Sequence, residues 1–129
     1  MIVVDSSVWI AKIRGAPNDA TRRLDAIDDT RTIIVPEVVL LEVLQGAGSE
    51  ARAQRIDREL RTFRIEAIMS IGLARRAAAN YRLLRSRGIT VRGPFDVAIG
   101  TWCIEKGYSL LHRDRDFDAM VEHLGLQPA

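Results

Sequence analysis

Short β-branched runs alternate with helical stretches along this chain, and that alternation limits its fold more than any other feature. "MIVVD", "TIIV", "RIEAI" and "YSLLH" read as strands. Between them lie "SSVWIAKIRG", "PNDATRRLDAIDD", "PEVVLLEVLQG", "SEARAQRIDRELRTF", "SIGLARRAAANYRLLRSRG" and "PFDVAIGTWCIEKG", and "DRDFDAMVEHLG" follows the last strand. Each carries a helix signal. Serine is expected to cap the first helix near residue 6 and Ser70 the fifth, Pro36 and Pro94 open two others, and Gly15, Gly46, Gly88 and Gly107 mark ends. Ile56, Leu60 and Phe63 form one apolar stripe, and Phe117, Val121 and Leu124 are expected to face inward on the last helix. Short strands alternating with helices indicate an α/β domain around a mainly parallel sheet. With 129 residues and no linker, repeat or low-complexity tract, it is expected to form a single domain over 1–129.

One residue disturbs this pattern. Glu42 lies within "PEVVLLEVLQG", where apolar residues go most of the way round the helix, so the helix is expected to be largely buried. Its neighbours three and four positions away, Val38, Val39, Gln45 and Gly46, offer no cation. A buried carboxylate must be paired, protonated or part of a polar site. At the helix rim it can instead be hydrated.

In a parallel sheet, ligands gather outside the carboxyl ends of the strands. Asp5 ends the first strand, Asp114 follows "YSLLH" by two residues, and Asp96 lies in the first turn of an apolar helix. With Glu42 they can converge. Taken singly, each aspartate can equally be a cap or a first-turn acid, worth about 1 kcal/mol. Together, four ionised carboxylates repel one another, and a cation among them removes the repulsion. His112 and His123 are the only histidines and Cys103 the only cysteine, so the ligand set favours a hard ion, Mg²⁺ with Mn²⁺ as the alternative, over zinc. His112 reads as a strand-end residue, His123 as surface and Cys103 as core.

Charge is unevenly spread. Residues 51–92 hold eleven arginines against three acids, although the whole chain carries only +2. A basic region beside a carboxylate site suits a polyanion, and these arginines are expected to meet backbone phosphates. No apolar run has the roughly 20 residues of a membrane span, and the N-terminus is too short to be a signal peptide. A cytoplasmic location is expected.

The ordered set "VVDSSVWI", "PEVVLLEVLQG", "PFDVAIGTW" and "LLHRDRDFDAM" resembles the PIN-domain family, most closely its VapC-type toxins. The resemblance covers essentially the whole chain. It implies a three-layer α/β/α fold, Mg²⁺-dependent endoribonuclease activity, homodimerisation, and inhibition by a small antitoxin encoded beside the toxin. It also implies that Asp5 and Asp96 are the principal metal carboxylates, that Glu42 and Asp114 position water or a second ion, and that Ser7 hydrogen-bonds within the cluster. Asp116 is a further candidate acid, or a first-turn residue of the last helix.

Two other readings stay open on sequence. An aspartate-dependent phosphotransfer domain would want a second acid two residues after the first, where this chain has Ser7, or a lysine after a late strand. A non-catalytic module, binding RNA or a partner and keeping the acids for metal-assisted stability, predicts affinity without cleavage. Trp9, Ile10 and Ile13 are candidates for an exposed stripe that receives a partner helix.

Overall fold

The computed structural model describes residues 1–129. Five strands are present: β1 (Ile2–Val4), β2 (Ile33–Pro36), β3 (Arg64–Glu66), β4 (Ser109–Leu111) and β5 (Gln127–Pro128). They form one parallel sheet in the order β3-β2-β1-β4-β5. Seven α-helices connect or follow them: α1 (Ser6–Ile13), α2 (Asp19–Asp25), α3 (Glu37–Gln45), α4 (Glu50–Leu60), α5 (Ile71–Ser86), α6 (Pro94–Lys106) and α7 (Arg115–Leu124). Helices α1 to α4 pack among themselves, as do α5 to α7, giving a helical layer on either side of the sheet. The three-layer α/β/α expectation therefore holds. β5 was not legible in sequence, because a two-residue strand carrying a proline gives no periodic signal.

Chain order moves outward from β1 to β2 and β3, then returns to β1's other edge with β4. Such a reversal opens a crevice at the carboxyl ends of the strands on either side of it. The strands are apolar on both faces, as a sheet covered twice requires: Val3, Val4, Ile34, Val35 and Leu110 are fully buried. Helix α6 is buried nearly all round, from Val97 to Cys103, and closes against α7 at Gly100. A β-carbon there would overlap Met120 Sδ, so the methionine would have to shift to admit any larger residue.

Local details correct several expectations. Asp5, not serine, caps α1: its Oδ2 accepts from the Ser7 N–H at 3.1 Å, because the carboxylate at the strand end reaches the free N–H two residues on. Pro36 ends β2 and serves as the cap residue of α3, whose first helical residue is Glu37. That helix is one-sided, with Val38, Val39 and Val43 buried while Leu41 is 51% exposed. On α7 it is Phe117 and Met120 that are buried, with Val121 and Leu124 at the edge of the core. Trp9 is 3% exposed and packs against Phe63 with ring centroids 5.0 Å apart and planes tilted by 52°, so it is a core residue whose edge, with Ile13, reaches the cleft between α1 and α4. Cys103 is wholly buried, and burial pushes its thiol up to about 12, which suits packing and not nucleophilic chemistry.

Candidate active site

Strand pairing brings the acids together. β1 and β4 run in parallel register, and the Asp5 N–H continues that ladder by donating to Leu111 O at 2.9 Å. Asp5 and the β4–α7 junction carrying Asp114 thus leave the sheet side by side. Asp114 caps α7, accepting from the Asp116 N–H at 3.0 Å. Asp96 enters from the first turn of α6, where Gly93 makes room: a β-carbon at Gly93 would lie 3.0 Å from Asp96 Oδ2. Carboxylate oxygens of Asp96, Asp114 and Asp116 lie within 4.8 Å of one another.

Asp5 and Glu42 stand outside that trio but belong to the same electrostatic unit. Asp5 is 3% exposed, and both the N–H and the hydroxyl of Ser7 donate to its Oδ2, the latter at 2.7 Å. Its Oδ1 is buried with no partner, and so is Oε1 of Glu42. Burial raises the Asp5 carboxyl above its ordinary range, with Ser7 opposing and the Asp114 charge adding to the rise. Burial, then the Asp5 charge, likewise raises Glu42. Asp96 feels all of them: burial and the charges of Asp5, Asp114, Glu42 and Asp116 push it up to about 7. Unpaired buried carboxylate oxygens are costly, and a cation bound beside them would offset that cost.

The capping and functional readings of the aspartates are therefore not exclusive. One oxygen of Asp5 caps a helix while the other is unpaired. Ser7 hydrogen-bonds within the cluster as expected. Asp116 joins Asp96 and Asp114 in space, while its Oδ2 accepts from the Arg92 N–H at 3.2 Å.

An open cleft of about 700 Å³ lies over Asp96, Asp114 and Asp116, lined also by Ser7, Thr90, Arg92, Gly93, Arg113 and Arg115, while Asp5 and Glu42 lie outside its lining. No apolar side chain lines it. Of the eleven arginines between 51 and 92, only Arg92 does so; Arg61, Arg64 and Arg76 pair with Asp57, Glu66 and Glu105. Arg113 and Arg115 flank Asp114 in "HRDRDF" and lie outside the arginine-rich stretch. Their signal was adjacency to a candidate ligand, which a count of charge over a long segment does not register.

A parallel sheet reversing at its first strand, with acids from both sides of the reversal meeting at its carboxyl edge, is the build of a PIN domain. Residues 2–122 match the PIN domain model, and the chain belongs to that family. Within it the chain sits beside the VapC proteins: it is 31% identical to ribonuclease VapC11 of Mycobacterium tuberculosis over 135 residues, covering 100% of this chain and 98% of VapC11. The same figures hold for VapC ribonuclease Mb1587 of Mycobacterium bovis. Among solved structures, VapBC2 from Rickettsia felis bound to a promoter DNA fragment superposes with a TM-score of 0.77 at 18% identity, covering 100% of this chain and 98% of that one. VapC20 of Mycobacterium tuberculosis, described as a Sarcin-Ricin loop cleaving toxin, gives 0.70 at 21% identity, covering 92% and 94%. At these identities the superpositions speak for the fold. No helix is long and apolar enough to cross a membrane.

Proposed function

We propose that this chain is a Mg²⁺-dependent endoribonuclease toxin, a single nuclease domain over residues 1–129 that acts in the cytoplasm and is restrained by a cognate antitoxin. The observation that carries this reading is the pair of unpartnered buried oxygens, Asp5 Oδ1 and Glu42 Oε1, beside the Asp96–Asp114–Asp116 trio. Asp5 and Asp96 would hold the ion, with Mn²⁺ as the alternative to Mg²⁺. Bound there, the cation supplies charge neutralisation and Lewis-acid polarisation of a phosphodiester. The protein's own groups do the rest. Ser7 fixes Asp5 through Oδ2 and leaves Oδ1 available. Glu42, with its raised pKa, is suited to take a proton from the attacking water. Asp114, held by the Asp116 N–H, orients that water or a second ion. Attack on phosphorus breaks the bond to the 3′ oxygen, which takes a proton from solvent, leaving a 5′-phosphate and a 3′-hydroxyl.

The test is incubation with a mixed pool of tRNA, rRNA fragments and single-stranded RNA in Mg²⁺ or EDTA. Discrete fragments with 5′-phosphate ends, formed only with the metal, are expected. Fragments with 2′,3′-cyclic phosphate ends, unaffected by EDTA, would overturn the mechanism.

An antitoxin partner is supported by the fold relatives, whose structures include the VapBC2 complex, and by a cleft of about 690 Å³ between α1 and α4. Its floor includes Ile13, Ile56, Leu60 and Phe63, with Arg52 and Arg55 among its charged lining, so it suits an amphipathic segment with acidic flanks. Charge reversal at both arginines, Arg52→Glu with Arg55→Glu, is expected to cut retention of the neighbouring gene's product in co-purification at least about tenfold. Undiminished retention would place the partner elsewhere. The apolar groove between α5 and α6, bordered by exposed Met69 and Tyr81, supports a homodimer.

A further inference from the structure

The acidic cleft is rimmed by three arginines, of which only Arg92 belongs to the arginine-rich stretch expected to meet phosphates. Arg92 stands on the loop between α5 and α6; Arg113 and Arg115 stand at the junction of β4 and α7. None of the three makes an ion pair, although carboxylates lie beside them in the same cleft. Free cations on two separate segments, with an acidic floor between, match a nucleic-acid strand: the scissile phosphate over the acids and the flanking phosphates against arginine. The lining contains no aromatic side chain, so bases have no stacking platform in the cleft.

Arg92 is also held in place. Its backbone N–H donates to Asp116 Oδ2 at 3.2 Å, and two residues earlier Thr90 accepts from Arg85 at 2.7 Å. Asp116 therefore ties the arginine-bearing loop to the start of α7, where Arg113 and Arg115 lie.

Building on the ribonuclease reading, we propose that Arg92, Arg113 and Arg115 clamp the phosphates on either side of the scissile bond, and that Asp116 is a positioning residue that holds Arg92 in the clamp. The clamp reads backbone, not base. Selection of a particular RNA then falls to the path of the strand across the two rims and to surfaces beyond the cleft.

The experiment measures Kd for labelled U and A homopolymers of about 20 nucleotides, in Mg²⁺ and over a range of KCl, with Asp5→Asn present throughout to prevent cutting. Each of Arg92→Gln, Arg113→Gln and Arg115→Gln is expected to weaken binding roughly tenfold and reduce the log–log salt slope by about one, equally for both homopolymers. Asp116→Ala should weaken binding as Arg92→Gln does, and the double variant should be no worse than either. Asp116→Asn keeps an acceptor for the Arg92 N–H and should recover at least half of the loss. In the chain with Asp5 intact, these substitutions should raise KM more than they lower kcat. Wild-type affinity and slope in the three arginine variants would overturn the clamp. Asp116→Asn as weak as Asp116→Ala, with lowered Mn²⁺ affinity in both, would make Asp116 a metal ligand and overturn the positioning role. Binding that depends on these arginines, in a protein with Asp5 that never cuts, would support the clamp and sink the ribonuclease reading instead.

Discussion

Asp96→Asn is expected to eliminate RNA cleavage, by at least about a hundredfold, while raising the melting temperature of the metal-free protein by about 3 °C or more. The two effects have one cause. Asp96 is the acid on which the charges of Asp5, Asp114, Glu42 and Asp116 all act, so in the absence of a cation its ionised form opposes folding. Asparagine has nearly the same shape, removes one negative charge, and gives the neighbouring carboxylates a donor. It also removes one of the two carboxylates proposed to hold the ion. A site held together for chemistry at the expense of stability behaves in this way. Paired measurements of cleavage and thermal melting in EDTA check it. Intact cleavage would displace Asp96 from the site, and a lowered melting temperature with normal folding would show that repulsion is not what the cluster stores.

Proton and metal should act as substitutes for one another. A carboxyl whose pKa is higher in the folded than in the unfolded chain binds protons more tightly when folded, so acid favours folding. For Asp96 the gain is absent well above the folded value of about 7, builds as pH falls through it, and is complete below the ordinary 3.8. Asp5 and Glu42 are shifted in the same direction and add to the effect. The metal-free protein is therefore expected to melt higher at pH 5.5 than at pH 8, opposite to the usual behaviour of paired surface carboxylates. Mg²⁺ or Mn²⁺ at about a hundred times its Kd should add about 2.7 kcal/mol at pH 8. At pH 5.5, below the Asp96 value of about 7, a proton already occupies that carboxyl and the added stability should be smaller. Differential scanning fluorimetry at the two pH values, with and without metal, decides it. A flat metal-free profile, or equal stabilisation at both, would contradict the repulsive cluster.

Most of the fold was legible because its periodic signals are strong. Ser70, Pro94 and Gly107 mark helix ends in sequence as they do in the structure, and the apolar runs of β1 and β2 are buried on both faces. The acids of the site were legible for a different reason: Asp5 and Asp114 fall at strand ends of a parallel sheet, and Glu42 lacked a local cation. What escaped depends on side-chain direction and tertiary contact. Nothing in "SSVWIAKI" distinguishes a tryptophan facing solvent from one that packs against Phe63, fifty-four positions away. Nothing in the arginine-rich stretch separates Arg92, at the cleft, from Arg61, paired along its own helix. The hydrogen bond from Arg92 to Asp116 joins segments that only the α6–α7 contact brings together.

The sheet order has a consequence for how such a chain is made. β1, β2 and β3 lie on one side of the reversal and emerge first during translation, carrying Asp5 and Glu42 with them. Asp114 and the β4 edge that sets it beside Asp5 come from residues 109 onward. A partly synthesised chain on the ribosome thus lacks the last carboxylate and two of the three cleft arginines until late in synthesis. An RNA-cutting protein arranged in this order stays harmless to the machinery producing it for most of its own synthesis, and a partner that docks on α1 and α4 has its surface ready before the cutting centre exists.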